Sequence, residues 1–140
     1  MPVFYCIAFL EFVMPSRSVI KVPNVEAFFD QVSNTVSYVV SDPKTKKAAV
    51  IDSVLDFDYA SGTVGYKHSD KIIDYLMAQK LELEWLIETH VHADHLSAAP
   101  YIQQKLGGKI GISERISEVQ TVFGKLFNAG TEFERDGSQF

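Results

Sequence analysis

The sequence predicts an α/β fold, a mixed sheet with helices packed on it. Three observations carry that expectation. Short β-rich segments alternate with segments of helical period, turn and cap residues punctuate the joins, and a cluster of ligand-type side chains stands where one strand gives way to a helix. In sheets of this kind ligands collect at the loops beyond the carboxyl ends of strands.

The elements read as follows. Thr35 to Val40 is β-rich, and Lys47 to Asp52 repeats that character with Ala48, Ala49, Val50 and Ile51. Asp42-Pro43-Lys44-Thr45 lies between them, a turn-forming group that predicts a β-hairpin. From Ser53 to Lys67 no period is sustained, and Gly62 and Gly65 mark a loop. Ser69 caps a predicted helix to about Lys80, with Ile72, Ile73, Leu76 and Met77 on its buried side. Leu83 to Glu88 is a short strand with Trp85 and Ile87 on one face and Leu86 on the other. Leu96 to Leu106 has helical spacing and stops at Gly107-Gly108. Lys109 to Ile112 is another short strand. Ser113 opens a last helix, in which Ile116, Val119, Phe123 and Leu126 recur at three and four, ending near Asn128-Ala129-Gly130. Tyr38, Trp85 and the phenylalanines read as core.

Bulk properties restrict the function. A chain of 140 residues with 46% hydrophobic residues fits one domain with a core. The formal net charge is −5 and no basic run occurs, which disfavours nucleic acid and anionic membrane as partners. Cys6 is the single cysteine. A disulfide framework and a thiolate zinc finger are excluded, and a reducing, cytoplasmic setting is expected. Val3 to Met14 is apolar except for Glu11, too short to span a bilayer, and lacks the basic and small-residue flanks of a secretory signal. Residues 1–23 are therefore expected to be an N-terminal extension: an extra buried strand, or a stretch upstream of a true start at Met14.

The chemistry is concentrated in Thr89-His90-Val91-His92-Ala93-Asp94-His95. Imidazole and carboxylate are natural ligands of zinc, iron and manganese. His90 and His92, two apart, point the same way in an extended segment and can share one ion. Asp94 and His95 follow where the chain bends, so they can swing toward a second ion. Four such side chains in six residues would be poor core material unless coordination compensates for their burial. Chance would give this spacing in about one chain in ten thousand of this length. A structural zinc site would favour a closed, Cys-rich set, whereas open His/carboxylate sites serve catalysis. Asp52, at a strand end on the same sheet edge as His90, is a candidate to stand behind the ligands, as is Thr89. Asp56 and Asp58 read as solvated loop residues, and His68 as an exposed loop-end residue.

The motif resembles the T-H-x-H-x-D-H signature of the metallo-β-lactamase superfamily, and the likeness in element order runs from about Asn34 to Gly130, including the strand ending Val50-Ile51-Asp52. His-Ala-Asp-His followed by Leu96-Ser97-Ala98-Ala99 looks like the persulfide dioxygenases and related bacterial β-lactamase-like hydrolases. Glyoxalase II enzymes tend to carry a bulky residue at Val91 or Ala93 and then a glycine pair.

The resemblance implies that residues 24–140 are the N-terminal half of the family's αββα sandwich. It implies a dinuclear site in which His90 and His92 bind one metal and Asp94 and His95 the other. In a persulfide dioxygenase a single Fe(2+) would take His90, and His92, Asp94 and His95 would orient ligands or handle protons, with Asp94 the catalytic candidate. Zn(2+) is the alternative metal, for thioester or lactam hydrolysis. The implied substrate is a small thiol derivative such as glutathione persulfide. The family's further ligands, two histidines and a bridging aspartate, would lie beyond Phe140, so a truncated, catalytically silent piece is also expected to be considered. Half a sandwich leaves one sheet face open, which allows a homo-oligomer.

Overall fold

The computed structural model describes residues 22–130 and 134–136. The expected N-terminal extension falls almost entirely on residues 1–21, outside the described residues. In chain order the elements are β1 (Asn24–Asp30), β2 (Thr35–Ser41), β3 (Lys47–Ile51), β4 (Val54–Asp58), β5 (Thr63–Gly65), α1 (Lys67–Ala78), β6 (Glu82–Ile87), β7 (Leu96–Ser97), α2 (Ala99–Leu106), β8 (Lys109–Gly111) and α3 (Ile116–Leu126).

Five strands form one mixed sheet in the order β1-β2-β3-β6-β8. The first three run antiparallel, while β6 pairs in parallel with β3 and with β8. The β2–β3 turn is built as its composition requires: Asp42 Oδ1 accepts the backbone N–H groups of Lys44 and Thr45. Between β3 and β6 the pairing steps from Ala48 with Leu83 to Ala49 with Trp85, so Glu84 is an extra, bulged residue. The bulge lets Leu83 and Leu86, three apart, both face the helices. There they join Val39, Val50, Ile72, Leu76, Ala98, Ala99 and Ile102 in the core.

The other sheet face is uncovered among the described residues. Val25, Phe29, Tyr38, Trp85 and Ile87 share it by register, and all are exposed. Tyr38, Trp85 and Phe29 are thus not core, contrary to expectation: strand alternation sends them to the side on which no helix packs.

Other expectations also need correction. The stretch from Ser53 to Lys67 is not a structureless loop, because β4 and β5 form a hairpin whose turn is tied by Asp58 and by Gly62 at φ +69°. Such short strands leave no period to detect. Strand β1 had no reading at all. Leu96 and Ser97 are not helical but pair with Val54 and Leu55, and α2 begins only at Ala99 and Pro100, where the fixed φ of proline suits a first turn. Ser69 does not cap α1, which starts at Lys67; Ser69 is buried in the first turn and donates to the Tyr66 carbonyl. Met77 is exposed, and so are Phe123 and Leu126 in α3, which buries Ile116 as expected but pairs it with Gln120 and Gly124. Gly124 gives that face a close approach for the Arg135 guanidinium, and the apolar stripe is left outward.

Candidate metal centre

Strand β6 ends at Ile87, and the next residues carry the chain off the sheet edge into the ligand loop. Three imidazoles converge there, with ring centroids 4.1 Å apart for His90 and His92 and 4.2 Å for His92 and His95. Two groups of donor atoms lie within 4.8 Å of one another: Asp52, His90 and His92, and His92, Asp94 and His95. The residues picked from the sequence are thus brought together, with His92 common to both groups.

Asp52 reaches this loop because it adopts a left-handed backbone conformation, φ +50°, just beyond the end of β3. Such a conformation is uncommon outside glycine but tolerated by Asp. Ser37 Oγ donates to its carbonyl and its N–H donates to Ile87, which fixes the bend. Its carboxylate then accepts three hydrogen bonds: from Thr89 N at 2.8 Å, Thr89 Oγ1 at 2.7 Å and His92 Nε2 at 3.0 Å. Burial pushes the Asp52 carboxyl up, but the Thr89 and His92 hydrogen bonds outweigh it and hold the group below its ordinary value. An ionised acceptor with three donors is a brace for ligands, not itself a free ligand.

The hydrogen bonds assign the ring protons. His92 Nε2 faces an ionised carboxylate and must donate, so its lone pair is on Nδ1. Thr89 Oγ1 spends its proton on Asp52 and therefore accepts from His90 Nδ1 at 2.8 Å, which leaves the lone pair of His90 on Nε2. At the other end Thr35 Oγ1 donates to Asp94 Oδ2 at 3.1 Å and stands 3.4 Å from His95 Nδ1. Asp94 Oδ2 lies 3.4 Å from the same nitrogen. Backbone N–H donation, His95 and Thr35 all hold the Asp94 carboxyl below its ordinary value.

His95 Nε2 is the test of whether these residues suit a metal. It is buried with no hydrogen-bond partner among the described residues, on a side chain 2% exposed. Leaving such an atom unsatisfied costs on the order of 1–3 kcal/mol, which coordination would remove. His92 and the ionised Asp94 each offer a donor atom within 4.8 Å of that of His95, and this set fits a divalent ion of the zinc or iron type.

Sequence reasoning missed Glu88, Ser97, Thr35 and Tyr59. Tyr59, in the β4–β5 turn, donates to the Asp94 carbonyl at 3.3 Å and packs edge-on against Phe57, with ring centroids 5.0 Å apart. These two and Leu96 line a cavity of about 260 Å³ with His92, Ala93, Asp94 and His95. Nothing in the sequence spacing signals Thr35 or Tyr59. Glu88 did carry a signal, since alternation from Leu86 points it inward. His68, expected at the surface, is buried: it lies in the first turn of α1, 2% exposed, with Nδ1 4.0 Å from Asp30. Asp56 is half-buried on β4 and accepts the His68 N–H, while Asp58 serves its own turn.

Fold and loop together define an α/β protein whose candidate metal-ligating histidines sit just beyond the end of a parallel strand. The chain belongs to the metallo-β-lactamase superfamily, whose family model matches residues 30–135. It is 51% identical over 116 residues to a probable metallo-hydrolase of Burkholderia pseudomallei, covering 83% of this chain and 40% of that protein. It is 45% identical over 119 residues to a β-lactamase hydrolase-like protein of Agrobacterium fabrum, covering 85% of this chain and 27% of that protein. Among solved structures, ETHE1 from Myxococcus xanthus superposes with a TM-score of 0.52 at 26% identity, covering 62% of this chain and 34% of that one. The chain therefore spans 40% or less of these curated relatives. Within that superfamily's fold it carries a candidate His/Asp site for a divalent metal. Among the described residues no helix is long and apolar enough to cross a membrane.

Proposed function

We propose that this chain supplies the first part of the iron site of a persulfide dioxygenase, which oxidises glutathione persulfide to sulfite and glutathione. Carrying this reading is the loop His92-Ala93-Asp94-His95 running into Leu96-Ser97-Ala98-Ala99, with Ser97 bonded to a buried carboxyl behind His92. Fe(2+), when bound, would supply adjacent open positions for sulfur and O2. His90 would be the ligand this chain contributes. Asp52 and Thr89 hold His90 and His92 in the required tautomers. Asp94, ionised and 56% exposed at its side chain at the mouth of the site, is the proposed catalytic carboxylate of the loop.

A second reading is a Zn(2+) hydrolase of thioester or lactam type. The likeness to a probable metallo-hydrolase favours it, and the group of His92, Asp94 and His95 would suit a zinc ion. Either substrate would be a small thiol-derived or acyl compound, and we place the protein in the cytoplasm. Residues 24–140 are proposed as part of one catalytic domain, with residues 1–23 as an extension. The chain by itself is proposed to lack turnover and to self-associate through its open sheet face.

Metal analysis of the protein bearing this chain, followed by O2 consumption with glutathione persulfide, separates the readings. Iron and O2 uptake support the dioxygenase. Zinc with hydrolysis of a glutathione thioester, and no O2 uptake, overturns it.

A further inference from the structure

Behind His92 lies a second carboxyl that the metal centre as described does not use. Glu88 is 6% exposed, and its backbone is pinned by donation to the Gly111 carbonyl at 2.9 Å. Its Oε1 accepts the Ser97 hydroxyl hydrogen bond, and Ser97 Oγ accepts the Ala99 N–H at 3.0 Å. Its Oε2 lies 3.2 Å from His92 Nε2, the nitrogen that donates to Asp52. One N–H cannot serve two acceptors well, and Oε2 is a buried oxygen with no hydrogen bond of its own among the described residues. Keeping a carboxyl there is costly and adds nothing to the core. What it does is confine the ring: Nε2 donates to Asp52 while Glu88 Oε2 stands 3.2 Å from the same nitrogen, so two carboxyl groups crowd that edge of His92.

We propose that Glu88, held by Ser97, is a positioning residue that fixes the His92 ring so that Nδ1 faces the metal. This rests on the metal-centre reading. It also couples the ligand loop to the first turn of α2, through Ser97 and Ala99. Partners of this kind affect metal affinity by roughly 10–100-fold when removed.

The test is a Zn(2+) competition titration of the 140-residue chain, together with the visible absorption of its Co(2+)-loaded form. Glu88→Ala should weaken Zn(2+) binding about tenfold or more and shift the Co(2+) bands. Glu88→Gln, whose amide oxygen can still accept, should recover part of both. Ser97→Ala should show a smaller loss in the same direction. Where Glu88→Ala does not fold, Glu88→Gln and Ser97→Ala carry the test. Wild-type affinity and an unaltered Co(2+) spectrum in the folded variants would overturn the proposal, even with a lowered melting temperature, because that pattern marks a purely structural residue. Equal Zn(2+) affinity in wild type and His90→Ala would instead sink the metal-centre reading beneath it.

Discussion

The two ends of the ligand loop are built to different standards. At the His90–His92 end, hydrogen bonds of 2.7 to 3.0 Å run from Thr89 and His92 to one carboxylate, and the His92 side chain is 8% exposed. At the Asp94–His95 end the contacts are 3.1 to 3.4 Å, the residues outside the loop that make them are Thr35 and Tyr59, and the Asp94 side chain is 56% exposed. Preorganised ligands lose less freedom when an ion binds. The His90–His92 end should therefore dominate affinity, and the Asp94–His95 end should tune it.

The largest effect is expected from the ligand itself. His90→Ala should weaken divalent-metal binding by more than about 100-fold, beyond what loss of an outer partner costs, as read by competition with a chromophoric chelator. Next comes Asp52→Ala, which removes the acceptor of both Thr89 and His92; a loss of about 10–100-fold is expected. Thr35→Val, isosteric but without a donor, should cost less than about tenfold, felt at the Asp94–His95 end.

His68 should be near neutral, within about twofold, as a histidine outside the loop. Its effect belongs to pH. Burial lowers its proton affinity first, Asp30 and Asp56 oppose that, and Lys71 adds to it, leaving the group below its ordinary 6.5. A depressed folded value means the unfolded chain binds the proton more readily. Its contribution to stability is therefore complete above 6.5 and is lost as pH falls from there through the folded value. His68→Gln should flatten the melting temperature in that window, and a slope equal to wild type would contradict the assignment.

How much of this could be read from the sequence differs by region in the same way. The ligand loop was legible because its signal is side-chain identity at fixed spacing, and Asp52 was legible as a polar residue at the end of an apolar strand. Thr35 is 59 residues from Asp94, and only the β1–β2 turn brings it there. The β4–β5 hairpin was not legible, since a three-residue β5 shows no alternation and its partner β4 is half-buried on both faces. Trp85 and Tyr38 were misread because hydrophobicity alone does not say which sheet face is covered. In α3 the same ambiguity hid the buried side, where Gln120 and Gly124 stand in place of Phe123 and Leu126.

Titrating Zn(2+) into wild type, Asp52→Ala and Thr35→Val side by side, with metal-free folding checked by circular dichroism, bears most directly on the central claim. An unequally braced metal centre predicts a loss of at least about tenfold for Asp52→Ala and a clearly smaller loss for Thr35→Val. Equal losses, a reversed order, or no change in either variant would contradict it.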